Sequence, residues 1–173
     1  MTSQSADRGL IAPAILTLVS GATIAAAWGF ELIGGFVPCA LCLQERIPYY
    51  IGVPLALVSL VLAIAGGPGW LRRLGLLAVA AVFAYGAYLG TYHAGAEWGF
   101  WPGPTDCAAG AAPPSTDAAD ILSQIQGMRI VSCTEASWRF PEGWGLSFAG
   151  WNAAASLFLV LVALWGAAKV RAK

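Results

Sequence analysis

The chain has 173 residues and no formal net charge at neutral pH, with 58% hydrophobic and 10% charged residues, against about 25% charged in an average soluble domain. The balanced charge argues against nucleic acid as a partner. The scarcity of charge excludes an ordinary water-soluble domain and points to lipid as the solvent.

Four uncharged apolar blocks carry that reading, and a block of roughly 18 residues or more marks a membrane span. The first runs from Leu10 to Phe30. Arg8 ahead of it and Ala25-Ala26-Ala27 within it imitate a cleavable signal, but the apolar run continues to Phe30, so an uncleaved span is expected. A short connection, Glu31 to Arg46, holds Gly34-Gly35, Pro38, Cys39 and Cys42. The second block, Ile47 to Ala65, contains Pro54, where a kink is expected. Gly66 to Arg73 has the turn chemistry of a tight hairpin. The third block, Leu74 to Tyr92, includes Gly86 and Gly90. That spacing either lets a neighbouring helix approach closely or simply packs small residues.

A long connection, His93 to Gly145, opens with Trp98-Gly99-Phe100-Trp101-Pro102, aromatic chemistry suited to the headgroup interface. Its middle, Gly110 to Pro114, reads as a mobile stretch, and Ile121, Leu122, Ile125 and Met128 are spaced for an amphipathic helix lying on the membrane. The last block is Leu146 to Ala168. Helices of these lengths rise about 30 Å, the thickness of a bilayer core. Hairpins of buried soluble helices would need a polar face that the blocks lack. The predicted fold is all-α: one integral membrane four-helix bundle over residues 1–173, with two outer loops.

Charge sets the topology. Arg8, Arg72, Arg73, Lys169, Arg171 and Lys173 fall on one side of a four-span arrangement, with Asp7 as the one acid there. By the positive-inside rule that side is cytoplasmic, and both termini lie inside. Cys39, Cys42, Cys107 and Cys133 then all face the oxidising side.

Cys39-Ala40-Leu41-Cys42 has the spacing at which two thiols close a disulfide with little movement and tune each other's acidity. A structural staple is the plain alternative. If the second helix begins near Cys42, Arg46 lies one turn further on the same face, and helix terminus and guanidinium together favour a Cys42 thiolate. Arg46 alone also reads as an interfacial arginine with its head in the headgroups. His93, the only histidine, reaches the same outer level, either as an interfacial residue or as a partner of the thiols. A bis-histidine haem within the chain is ruled out. Cys107 and Cys133 bracket 25 residues, either as a stabilising loop closure or as a pair that delivers one thiol to a partner. A four-thiolate zinc site would need two closely spaced reduced pairs, so no metal is expected.

Pro38-Cys39-Ala40-Leu41-Cys42 followed by Glu45-Arg46, Tyr92-His93 ending the third span, Cys107 and Cys133 in the second outer loop, and Trp138 and Phe140 after them resemble the DsbB family of bacterial inner membranes. The resemblance covers most of the chain. It implies a four-helix enzyme that reoxidises a periplasmic thioredoxin-fold protein, DsbA-like, and reduces ubiquinone or menaquinone. It further implies that Cys39 and Cys42 are the quinone-coupled pair, that Arg46 and His93 neighbour the quinone with Cys42, and that Cys107 and Cys133 face the partner. Pro141-Glu142-Gly143-Trp144 departs from the shorter, more apolar lead expected before the last helix. Relatives of the vitamin K epoxide reductase type share the chemistry but carry their Cys-x-x-Cys pair near the last span. A disulfide-stapled membrane scaffold is the non-enzymatic alternative, in which every cysteine stays oxidised and inert.

Overall fold

The computed structural model describes residues 3–104 and 129–170. Cys107, the stretch from Gly110 to Pro114 and the expected surface helix around Ile121 to Met128 lie outside the described residues. Four helices dominate: α1 (Ser3–Leu32), α2 (Ala40–Ile64), α3 (Gly69–Glu97) and α4 (Phe148–Lys169). All four are long and apolar enough to cross a membrane. α3 packs most extensively on α4 and also on α2, and α1 packs on α2 and α4, so the helices alternate in direction around a ring.

The first three helices begin ahead of their uncharged blocks, whereas α4 begins two residues inside its own. α2 starts seven residues earlier than expected because Cys39 serves as its N-cap, its sulfur accepting the Cys42 backbone N–H at 3.2 Å. Glu45 and Arg46, assigned to a loop by their charge, are therefore helical. α3 continues past Tyr92 to Glu97 and begins before its arginines, so the hairpin shortens to residues 65–68, turning at Gly66 with φ +68°. α4 begins at Phe148, capped by Ser147, whose hydroxyl accepts the Gly150 N–H. Pro141 to Gly145 forms the turn between β3 (Arg139–Phe140) and the antiparallel β4 (Leu146–Ser147).

Lipid dictates the radial distribution. Leu16, Val79, Phe83, Leu159 and Ala163 fill the bundle centre with no more than trace exposure, while Leu18 is 72% and Ile64 69% exposed on the outside. That inside-out pattern is stable only where the surroundings are apolar. Thr17, Ser20 and Thr23 on α1 return their hydroxyls to the carbonyls of Pro13, Leu16 and Val19, which satisfies them without water. Gly86 and Gly90 serve contacts within the chain. A Cβ on Gly90 would lie 2.8 Å from the Ala153 nitrogen of α4, and one on Gly86 would meet Ser156 Oγ at 3.0 Å and the Pro48 ring of α2 at 3.2 Å.

Both chain ends share the hairpin end of the bundle: Arg72 donates to the Gly9 carbonyl, and Gly166 abuts Ala12 and Leu76. The opposite end gathers Cys39, Cys42, Cys133 and His93. There β1 (Phe36–Val37) pairs in parallel with β2 (Arg129–Ile130), which returns the long connection to the segment just before Cys39. Phe30, Phe36, Trp138 and Phe148 pack ring to ring beneath it. The aromatic run after α3 folds back as well, with Trp101 stacked on Tyr92 and its indole N–H on the Tyr92 carbonyl at 2.8 Å.

Candidate active site

Three of the four cysteines converge at that end. Cys39, fully buried, lies with its sulfur 2.8 Å from that of Cys42, and both are free thiols. Cys133 follows β2, packs with Cys39, Leu41 and Val131, and is disulfide-bonded. The sulfurs of Cys39 and Cys133 and a ring nitrogen of His93 lie within 4.8 Å of one another.

The two thiols are not equivalent. Cys39 Sγ takes the Cys42 N–H, contacts the Cys42 thiol, and lies 3.9 Å from His93 Nε2. The Cys42 thiol above all, with help from His93 and against the effect of burial, holds the Cys39 thiol down to about 5 from an ordinary 9.0. Sequence spacing favoured a Cys42 thiolate stabilised by Arg46; the helix begins two residues before Cys42, so the free N–H of Cys42 serves Cys39 instead. An acid whose folded value is depressed adds stability above its ordinary value and loses it on acidification. The reduced protein is therefore expected to become more stable as pH rises from about 5 toward 9. Its thiolate ultraviolet absorbance should persist at neutral pH and fall only near pH 5. A wild-type thiolate signal that rises only near pH 9, or one unchanged in Cys39→Ser, contradicts the assignment.

Arg46 points elsewhere. Its guanidinium pairs with Glu31 of α1 and stacks 5.2 Å over the Trp28 ring. Together Cys42, Glu45 and Arg46 form the polar wall of a cavity of about 640 Å³ between α1, α2 and α4. Alanines and Phe30 of α1 and Phe148 of α4 supply its apolar wall, and Trp138 and Phe140 stand at its edge. Such a volume, largely apolar with a few convergent polar groups, suits a small flat ligand. His93 does not line it. It sits behind the thiols, 1% exposed, with Nδ1 bonded to Glu45 Oε1 at 2.7 Å.

Sequence reasoning passed over the polar ladder that continues from there. Asn152 Nδ2 donates to Glu45 Oε2 at 2.8 Å, Tyr49 donates to Asn152 Oδ1 at 2.8 Å, and the same hydroxyl meets Ser156 Oγ at 3.2 Å. The available signal was Asn152 and Ser156 one helical turn apart inside an apolar block, since polar residues within a span usually face the bundle interior and mark function.

The family model described as Disulfide bond formation protein DsbB matches residues 10–166. The chain is 27% identical over 157 residues to Disulfide bond formation protein B of Marinobacter nauticus, covering 87% of each protein. It is 23% identical over 156 residues to an uncharacterized protein of Rickettsia prowazekii, covering 90% of this chain and 86% of that one. No solved structure matches. A match that runs through all four helices and the convergent cysteines shows the family, and this multi-pass membrane protein belongs to the disulfide bond formation proteins of the DsbB type.

Proposed function

We propose that the protein oxidises a periplasmic thioredoxin-fold dithiol protein, DsbA-like, and passes the electrons to a quinone of the bacterial inner membrane, ubiquinone or menaquinone. The observation that carries this reading is the placement of Cys42 on the cavity wall, with Cys39 2.8 Å behind it and the disulfide-bonded Cys133 within 4.8 Å of Cys39. Thiol–disulfide exchange needs only sulfurs in line and a thiolate to start. The partner's thiolate attacks Cys107, and Cys133 leaves. The Cys133 thiolate then attacks Cys39 of the oxidised inner pair, and Cys42 leaves beside the cavity. The partner's second thiolate then takes the partner off Cys107 as a disulfide, the Cys107 thiolate attacks Cys133, and Cys39 leaves, so that Cys39 and Cys42 are both reduced. A quinone held at the cavity would take up the two electrons and two protons released as that pair closes again.

Arg46 is the residue suited to hold a ring oxygen there. Its fork is fixed by Glu31 and Trp28, so little side-chain freedom is lost on binding. The chain ends, with their Lys and Arg residues, would lie in the cytoplasm and the cysteines in the periplasm. Mixing the purified protein with a reduced thioredoxin-fold dithiol protein and a soluble quinone should bleach the quinone catalytically. Loss of a hydrogen bond from a charged group is worth about 1.5–3 kcal/mol, so Arg46→Ala should raise the quinone KM by about 10- to 100-fold. No turnover in the wild type overturns the function, and an unchanged KM overturns the role of Arg46.

A further inference from the structure

Glu97 closes α3 with its side chain 2% exposed, and neither the exchange of thiols nor the cavity wall uses it. Its Oε2 accepts the hydroxyl of Ser147, the cap of α4, and its Oε1 stands 4.0 Å from His93 Nε2. His93 thus faces three acidic groups: Cys39 at 3.9 Å and Glu97 at 4.0 Å through Nε2, and Glu45 at 2.7 Å through Nδ1. Arg139 on β3 acts on Glu97 from further away, Arg46 is committed to Glu31, and the Cys133 sulfur is held in its disulfide.

Charge counting then constrains the protons. With Cys39 ionised, three buried anions would face one imidazolium, and buried charge without a partner is costly. Glu45 has N–H donors on both oxygens, from His93 and Asn152. Glu97 has a neutral hydroxyl, that of Ser147, as its hydrogen-bond partner. The proton displaced from Cys39 is therefore best kept on Glu97.

We propose that Glu97 stores the proton that Cys39 gives up and returns it through His93 and Glu45 to the cavity when the inner pair is oxidised. The inference rests on the quinone reading above. Oxidation forms the Cys39–Cys42 bond, breaks the Cys42 S–H bond and sends two electrons to the quinone. Two protons follow, one from Cys42 and one from Glu97, and the Glu97 carboxylate replaces the lost thiolate beside the His93 imidazolium. Re-reduction reverses this: of the two protons of the incoming dithiol, one goes to Cys42 and one to Glu97. The charge of the cluster is the same in both states, so no net charge is created in a buried site during turnover.

Glu97 acts through His93 and is a positioning residue for the proton, so its test reads the proton directly. Purified full-length protein without quinone is brought to redox equilibrium with dithiothreitol or with its cyclic disulfide, and infrared difference spectra are recorded in the protonated-carboxyl C=O region. A band should appear on reduction in the wild type and in Glu45→Gln, shift in Glu97→Asp, and vanish in Glu97→Gln. Absence of the band in the wild type, or its persistence in Glu97→Gln, overturns the proposal. Should Glu97→Gln fail to fold, an unshifted band in Glu97→Asp does the same. Because no quinone is present, failure of the quinone reading leaves this readout intact, whereas a missing band in an enzyme that turns over defeats the role of Glu97 alone.

Discussion

Cys39→Ser and Cys42→Ser proteins are each expected to reduce quinone at least roughly a thousandfold more slowly than the wild type, because removing one member of a nucleophilic unit costs nearly as much as removing all of it. The two variants should fail differently. In Cys42→Ser, Cys39 keeps its place within 4.8 Å of the Cys133 sulfur. Its thiolate attacks that disulfide, and with no neighbour to release it the Cys39–Cys133 bond persists. In Cys39→Ser, Cys42 remains on the cavity wall with no sulfur between it and Cys133. Cys133→Ser should instead trap the partner on Cys107. Peptide mapping under non-reducing conditions distinguishes these two adducts from the Cys39→Ser protein, which forms neither. Turnover retained in Cys42→Ser, or a partner bound to Cys39 or Cys42 in Cys133→Ser, would overturn the route.

Gly90→Val should destabilise the protein by about 3 kcal/mol, the upper part of the range for overpacking a well-filled interior. The obstruction is backbone: the new Cβ would lie 2.8 Å from the Ala153 nitrogen and 3.0 Å from its Cα, and no rotamer change relieves it. α3 and α4 must separate. Asn152 sits beside Ala153, so the Glu45 ladder and the cavity wall move with α4, and activity should fall along with stability. Gly21 on α1 gives the contrast, since nothing lies within 4 Å of a Cβ there. Gly21→Ala should unfold in detergent like the wild type. Equal thermal stability of the Gly90 and Gly21 variants would show that the close approach carries no weight.

The four helices were legible because charge is absent from long stretches, and lipid tolerates nothing else. Their ends were less legible, because Glu45, Arg46 and Glu97 carry charges that normally mark water. Each lies in a helix and finds a partner that sequence spacing does not display: Glu45 and His93 are 48 residues apart, Glu45 and Asn152 107 apart. Which face of α4 meets α2 depends on how the helices rotate against one another, and Gly86 and Gly90 set that only after packing. The cysteine pair itself was plain from Cys-x-x-Cys. The choice of thiolate within it turned on two residues of helix, the difference between a start at Ala40 and one near Cys42.

The short parallel pairing of Phe36–Val37 with Arg129–Ile130 bears on the kinetics of the proposed exchange between pairs. Cys133 is only three residues beyond that strand, and an extended chain reaches at most about 3.6 Å per residue. The sulfur therefore works on a leash of roughly 11 Å, anchored next to the residues that precede Cys39. On the proposed route, exchange between Cys133 and Cys39 would be governed by an effective concentration on the order of millimolar or higher rather than by diffusion. Soluble thiols at lower concentration would then compete poorly with Cys133 for the inner pair, and each electron pair arriving at Cys133 would be directed to one acceptor.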